Sequence, residues 1–130
     1  MAIDFELTEN SKTSQNHYRT MALEQMRPIS RKYDDQEHDL PTEWVEYFWK
    51  HGRQGPDLDA SGANDGFVQV CVQAEELCWG DAGLYLRMPT PALGGSAVSA
   101  AGTPEQKKRF LSRFREEGTP AWGAMAITEP

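Results

Sequence analysis

The sequence predicts an all-α fold, a small helical bundle, in a chain of 130 residues. Three observations predict it: apolar residues recur at helical spacing in several segments, Pro and Gly separate these segments, and a capping box opens the last helix. Hydrophobic residues make up 38% of the chain, which is enough for the modest core of one small domain.

The first helix is predicted from about Thr8, a suitable N-cap, to Met26. The residues at helical spacing in it are Tyr18, Met21, Ala22, Gln25 and Met26. Pro28 lacks a backbone N–H, so we expect it to break or restart the helix. A second, more polar helix is predicted over Pro28 to Gln36, because residues 30–39 are charged on most sides.

A third helix is predicted to begin at Pro41, with Asp39 just ahead of it, and to end at Gly52. His51 would lie at its carbonyl end, where a cation is favoured. The helix has a narrow aromatic stripe: Trp44, Val45, Phe48 and Trp49. Such a stripe is either core or a partner-binding face, and core is the commoner structure.

Residues 52–66 are rich in Gly, Asp and Pro and predict a loop. The strongest helix follows, from Phe67 to Met88. Its two apolar stripes are Phe67, Cys71, Ala74, Cys78 and Tyr85, and Val70, Ala74, Leu77 and Leu84. The polar residues expected largely elsewhere are Gln69, Gln73, Glu75, Glu76 and Asp81. A helix apolar over so much of its circumference is predicted to be central to the bundle.

The two cysteines, Cys71 and Cys78, are seven residues apart, which is about 10 Å along a helix. A disulfide needs Cα atoms within about 7 Å, so the two thiols cannot pair there. Both lie on one helix face, and buried free thiols are the expectation.

Residues 92–101 are small, and their periodicity leaves helix and loop open. Thr103 to Glu117 is a clear helix, because Thr103, Pro104 and Gln106 form a capping box. The predicted buried stripe is Phe110, Leu111 and Phe114. The predicted solvent-exposed face carries Lys107, Lys108, Arg109, Arg113 and Arg115. Gly118 is predicted to end the helix.

The last twelve residues change character. Thr119 and Pro120 predict a turn, and the alternation from Trp122 to Thr128 predicts a strand. A lone strand after a helical bundle has no partner in this chain, so we expect the sequence to stop within a longer protein. The predicted organisation is a helical domain over 1–118, then a linker and first strand of a β-domain over 119–130.

Charge and motifs exclude several classes. The net charge of −7 argues against a nucleic-acid binder. No apolar run approaches the roughly 20 residues of a membrane span. The acidic N-terminus resembles neither a secretory signal nor a transit peptide, so the cytoplasm is the expected location. Metal-site spacings such as CxxC and HExxH are absent, and the three histidines are scattered, so no metal site is predicted.

Two motifs near the C-terminus carry a resemblance to a known family. Residues 102–107 read Gly-Thr-Pro-Glu-Gln-Lys, and residues 123–130 read Gly-Ala-Met-Ala-Ile-Thr-Glu-Pro. Both, in this order and at this distance, resemble the acyl-CoA dehydrogenases, whose N-terminal domain is helical. Weaker matches cover most of the chain: Arg27-Pro28, Asp34, Glu37, Pro41, Gly52 and Glu75-Glu76-Leu77.

The sequence departs from the family in two places. The family often has a P-x-x-Y-G-G stretch where residues 52–66 have none. The family's T-E-P is normally followed by a G-x-G-S-D segment that helps hold flavin and substrate, and here Pro130 is the last residue. Contacts carried by these two segments are therefore not assigned.

The resemblance implies FAD-dependent removal of two hydrogens from an acyl-CoA thioester. It implies that Met125, Ile127 and Thr128 face or hydrogen-bond the flavin, with Thr128 the best placed. No catalytic residue is assigned, because the family's base comes from the C-terminal domain and Glu129 is expected to shape the turn. The acyl chain would lie near residues 84–99, where Gly94 to Ala97 leave room for it or, more commonly, pack closely.

Acyl-CoA and an electron-transfer flavoprotein are the implied partners of the parent enzyme, which we expect to be a homo- or hetero-oligomer. An acyl-CoA oxidase or a flavin monooxygenase-like relative is an alternative on the same scaffold. A stand-alone helical interaction module, acting through Trp44 and Trp49, is an alternative of another class. The 130-residue chain alone is expected to be inactive.

Overall fold

The computed structural model describes residues 6–52, 65–116 and 118–126. All regular elements within these ranges are helical, as predicted. They are α1 (Glu9–Met21), α2 (Arg27–Asp35), α3 (Thr42–His51), α4 (Asp65–Leu86), α5 (Ala92–Ala101) and α6 (Pro104–Leu111). A π-helical turn, Ala22–Met26, joins α1 to α2, and a 3-10 turn, Ser112–Phe114, follows α6.

The described residues form two compact units. The first comprises those within Met1–Trp44 and Gln54–Arg87, and the second those within Val45–Arg53 and Met88–Pro130. In the first unit α4 packs against α1, α2 and the π-helical turn. In the second unit α5 packs against α6.

Thr8 caps α1 as predicted, because its side chain accepts a hydrogen bond from the backbone N–H of Ser11. Pro28 does not end the helix. The backbone N–H of Arg27 donates to the carbonyl of Ala22, five residues earlier, which widens the helix by one residue just ahead of Pro28. The proline then lies in the first turn of α2, where its missing N–H costs little.

The aromatic stripe of α3 is core, as predicted. Trp44, Val45, Phe48 and Trp49 are all buried. The indole N–H of Trp44 donates to the carbonyl of Leu84 at 2.9 Å, within the first unit. The indole N–H of Trp49 donates to the carbonyl of Gly118 at 2.7 Å, within the second. Each tryptophan therefore buries its ring while keeping its polar hydrogen bonded.

The long helix α4 begins at Asp65, so Gly66, predicted as loop, is helical. The rest of the predicted loop, residues 53–64, lies outside the described residues. At Asp81 the backbone leaves helical geometry, with φ −173° and ψ 119°. Its carboxylate accepts from the backbone N–H of Leu84 at 2.8 Å and from the hydroxyl of Ser30. Asp81 therefore acts as an N-cap inside α4, and the helix is built in two segments.

The predicted apolar stripes of α4 were right for Leu77 and Leu84, which are buried, and wrong for several other residues. Phe67, Cys71 and Cys78 are exposed, whereas Gln69 and Glu76 are buried. The expectation of buried thiols is therefore wrong for both cysteines. The apolar residues that do reach the core from this helix are Val72, Leu77 and Leu84.

Glu76 is buried because α1 supplies its partners. The side-chain amide of Gln15 donates to one carboxylate oxygen at 2.9 Å, and the guanidinium of Arg19 forms an ion pair with the other. A charge can leave water only when it is paired and hydrogen-bonded, and α1 meets both conditions. Sequence periodicity counts a glutamate as polar and so assigned it to the solvated face.

Gly80 lets α4 approach the π-helical turn closely. A Cβ added at Gly80 would lie 2.8 Å from the Cβ of Ala22 and 3.1 Å from the sulfur of Met26. Ala22 and Met26 are both fully buried. The glycine therefore sets the distance between these two elements.

In the second unit, residues 92–101 are resolved as helix α5. The capping box of α6 is confirmed: Thr103 Oγ1 accepts from the N–H of Gln106, and Gln106 Oε1 accepts from that of Thr103. The α-helix ends at Leu111 and the 3-10 turn continues it. Phe110 is 48% exposed and Phe114 is half-buried, so the predicted apolar stripe is only partly covered.

Candidate functional site

The C-terminal segment 121–126 is held against the start of α5. Its backbone anchor is the N–H of Gly123, which donates to the carbonyl of Thr90 at 2.8 Å. Residues 122–126 pair with no strand among the described residues. The remainder of the predicted strand, residues 127–130, lies outside the described residues, so the strand and the 118/119 domain boundary stay predictions.

Glycines on both sides allow this contact. A Cβ on Gly94 would lie 2.5 Å from the carbonyl oxygen of Ala124, and one on Gly123 would meet the carbonyl of Pro91. A Cβ on Gly95 would meet the side chain of Pro91. The sequence left two explanations for the small residues Gly94 to Ala97: room for an acyl chain, or close packing. The structure supports close backbone packing.

A groove of about 240 Å³ lies where this segment, α5 and α6 meet. Its lining is mostly apolar and comprises Pro91, Gly94, Gly95, Val98, Phe110, Leu111, Arg113, Phe114, Trp122, Gly123 and Ala124. Trp122 is 48% exposed and Phe110 is equally open to solvent. The aromatic rings therefore offer flat apolar surface at the edge of the segment.

Of the three residues predicted to contact flavin, the structure places one. Met125 follows the groove-lining Ala124 and is 43% exposed. Ile127 and Thr128 lie outside the described residues. Sequence reasoning missed Trp122 as a lining residue, although the alternating pattern puts it on the same face as Ala124, which also lines the groove.

Shifted pKa values occur away from this groove. The hydroxyl of Tyr33 donates to Glu43 at 2.6 Å and, as the largest cause, lowers the pKa of that carboxyl. Hydrogen bonding at the α6 N-terminus, first from its own backbone and then from Thr103, lowers the pKa of Glu105. Both carboxyls are held ionised and exposed, so neither is suited to act as a general base.

Metal clusters and membrane-spanning helices are both absent from residues 6–52, 65–116 and 118–126. No group of three or more His, Cys, Asp or Glu side chains there is arranged to hold a metal ion. No helix in those ranges is long and apolar enough to cross a membrane.

Comparison with known proteins identifies the fold. Residues 8–117 match the family described as acyl-CoA dehydrogenase, N-terminal domain. The chain is 27% identical to "Probable medium-chain specific acyl-CoA dehydrogenase 2, mitochondrial" of Caenorhabditis briggsae, an alignment covering 98% of this chain and 31% of that protein. It is 32% identical to "Acyl-CoA dehydrogenase FadE12" of Mycobacterium tuberculosis, over 53% of this chain and 17% of that protein.

The helices and the family match together define an N-terminal helical domain of an oxidoreductase family. The chain belongs to the acyl-CoA dehydrogenase family, as the two C-terminal motifs predicted. It spans less than a third of the length of these relatives.

Proposed function

We propose that this chain is the N-terminal part of a flavin enzyme that introduces an α,β double bond into acyl-CoA thioesters. The observation that carries the proposal is the anchored segment 121–126, which presents Met125 to solvent three residues before the T-E-P motif begins at Thr128. In a chain of this family, that placement suits contact with a flavin.

FAD fits the described residues as far as they extend. Met125 and Trp122 are both more than two-fifths exposed, although each is a large apolar side chain. Exposed apolar side chains at the end of a well-anchored segment suit contact with a flat aromatic ring. Ile127 and Thr128 complete the proposed set, with the hydroxyl and backbone N–H of Thr128 bonding the polar edge of the ring.

FAD, when bound, accepts the β hydrogen of the substrate as hydride. The residues of this chain would only position the flavin ring. The hydrogen bond from the N–H of Gly123 to the carbonyl of Thr90 holds the segment 121–126 against the start of α5. Met125 would exclude water from one side of the bound ring. The base that removes the α proton is proposed to come from another domain of the parent enzyme.

The electron acceptor distinguishes a dehydrogenase from an oxidase or a monooxygenase-like enzyme with the same helical domain. We propose an electron-transfer flavoprotein as the partner, within a homo- or hetero-oligomer in the cytoplasm. An acyl-CoA oxidase would pass its electrons to oxygen instead, and a monooxygenase-like relative would place one oxygen atom in its product. The isolated 130 residues are proposed to be inactive because the base is not assigned to them.

The alternative hypothesis, a stand-alone interaction module that binds a partner through Trp44 and Trp49, is disfavoured because both side chains are buried. Trp44 and Trp49 are 1% and 3% exposed, and both indole N–H groups are bonded to carbonyls. They are core residues and present no face to a partner.

The test uses the product of the complete reading frame, purified and examined for visible flavin absorbance. Anaerobic addition of an acyl-CoA should bleach that absorbance. Electron-transfer flavoprotein should then restore it faster than oxygen does. A colourless full-length protein, or a flavin that acyl-CoA leaves oxidised, would refute the proposal.

Two variants test the assigned residues. Thr128→Val should weaken flavin retention, because the hydroxyl is lost while the shape is kept. Leu93→Ala is the matched control, because this exposed residue of α5 does not line the groove. Equal flavin content in wild type and Thr128→Val would remove Thr128 from the flavin site.

A further inference from the structure

A second groove, of about 560 Å³, is lined by residues of α5, α6 and the turn after α6. Its volume falls within the range of ligand pockets, roughly 300–1,000 Å³. It is lined by Ser99, Lys107, Lys108, Leu111, Ser112, Arg115 and Glu116. Leu111 alone belongs also to the apolar groove.

The cations of this groove come from α6 and from the residue that follows the 3-10 turn. Lys107, Lys108 and Leu111 lie in α6, Ser112 begins the 3-10 turn, and Arg115 follows that turn. Across the groove, α5 contributes the hydroxyl of Ser99. Three positive groups, two hydroxyls and the apolar side chain of Leu111 therefore line the same groove.

These charges are not neutralised within the described part of the chain. No carboxylate there forms an ion pair with Lys107, Lys108 or Arg115, and Glu116 is the one described carboxylate in the lining. In the first unit Lys12, Arg19, Arg31 and Lys32 each form an ion pair with a carboxylate. The contrast stands out in a protein of net charge −7.

We propose that this groove binds a small molecule carrying a diphosphate. Lysine and arginine are the usual phosphate ligands, and hydroxyls donate to the remaining phosphate oxygens. Two neighbouring phosphates match three cations better than one phosphate does. A nucleic acid is disfavoured by the overall negative charge, which would repel an extended polyanion beyond the groove.

The direct test is calorimetric titration of the 130-residue chain with inorganic pyrophosphate at constant ionic strength. Pyrophosphate should bind saturably at one site, and more tightly than orthophosphate. Adenosine diphosphate tests the source of the diphosphate: tighter binding than pyrophosphate assigns the groove to a nucleotide, and equal binding to the diphosphate alone. Absence of saturable binding by both diphosphates would overturn the proposal.

Matched variants separate a site from diffuse charge. Lys108→Gln should lower the affinity for pyrophosphate roughly ten-fold or more, the effect of one lost charge-assisted bond. Arg109→Gln removes the same charge from the same helix, but Arg109 lies over the ring of Phe110 and does not line the groove. An equal loss in the two variants would overturn the proposal.

Amide chemical shifts provide a readout that does not depend on affinity. Pyrophosphate should move the backbone resonances of Ser99 and Ser112, on opposite walls of the groove, and leave those of α1 in place. Shifts spread over the whole chain would contradict a site. None of these measurements uses flavin, so their outcome is independent of the dehydrogenase proposal.

Discussion

Replacement of Gly80 by alanine should destabilise the first unit, although alanine is the better helix former. The added Cβ would lie 2.8 Å from the Cβ and 3.2 Å from the Cα of Ala22. The Cα belongs to the backbone and cannot rotate away, and Ala22 is fully buried. Overpacking costs about 1–3 kcal/mol, and the gain in helix propensity is about 1 kcal/mol. We therefore expect a net loss of up to about 2 kcal/mol.

Urea unfolding followed by far-ultraviolet circular dichroism measures this loss. Gly83→Ala is the control on the same helix, because a Cβ there would meet only a carboxylate oxygen of Asp81, at 3.2 Å. It should be neutral or stabilising by up to about 1 kcal/mol. The double variant Gly80→Ala/Ala22→Gly should recover part of the loss. Equal stabilisation by Gly80→Ala and Gly83→Ala would refute the packing argument.

Three further predictions concern charge, thiols and backbone. Tyr33→Phe should raise the pKa of Glu43, observed by carbon NMR of the carboxyl. In wild type the lowered pKa contributes stability that is present above the unfolded-state pKa and is lost as pH falls through the folded-state pKa. Cys71 and Cys78 should both react with Ellman's reagent in the native protein, because both are exposed. Ala92→Gly should stabilise by up to about 1 kcal/mol, since Ala92 has φ 48°.

Each of these has a contrary outcome. An unchanged Glu43 titration in Tyr33→Phe would show that the hydroxyl contact does not persist in solution. Thiols that react only in denaturant would restore the sequence-based expectation of burial, and single Cys→Ser variants assign each thiol. Partial desolvation of the exposed Cys78 thiol raises its pKa, so its reaction should speed up as pH rises. Ala97→Gly, in the exposed interior of α5, should destabilise, and a loss of similar size in Ala92→Gly would contradict the strain argument.

The sequence predicts the helices well because their start and stop signals are local. The cap at Thr8, the capping box at Thr103 and the aromatic stripe of α3 each depend on residues within a turn or two. The family assignment depended on two short motifs, and the comparison confirms it. Local chemistry is what sequence patterns record most directly.

The orientation of α4 was not predictable in the same way. Glu76 is buried because Gln15 and Arg19, some sixty residues earlier, complete its charge and hydrogen bonds. No periodicity within α4 contains that information. Ser30 likewise reaches Asp81 from α2, so the interruption of the long helix depends on a distant hydroxyl. The groove beside the terminal segment was missed for the same reason, since it needs α5, α6 and Trp122 together.

The interruption at Asp81 has a consequence for local stability. The turn after it is nucleated by a side chain rather than by the preceding helical turn, so we expect residues 82–86 to open, with loss of the Trp44–Leu84 hydrogen bond, without unwinding residues 65–80. Amide hydrogen exchange should then divide α4 into a slow segment and a fast one, with the boundary at the aspartate. One helix would thus behave as two cooperative units, and the last turn could adjust to a neighbour while the packing against α1 stays intact.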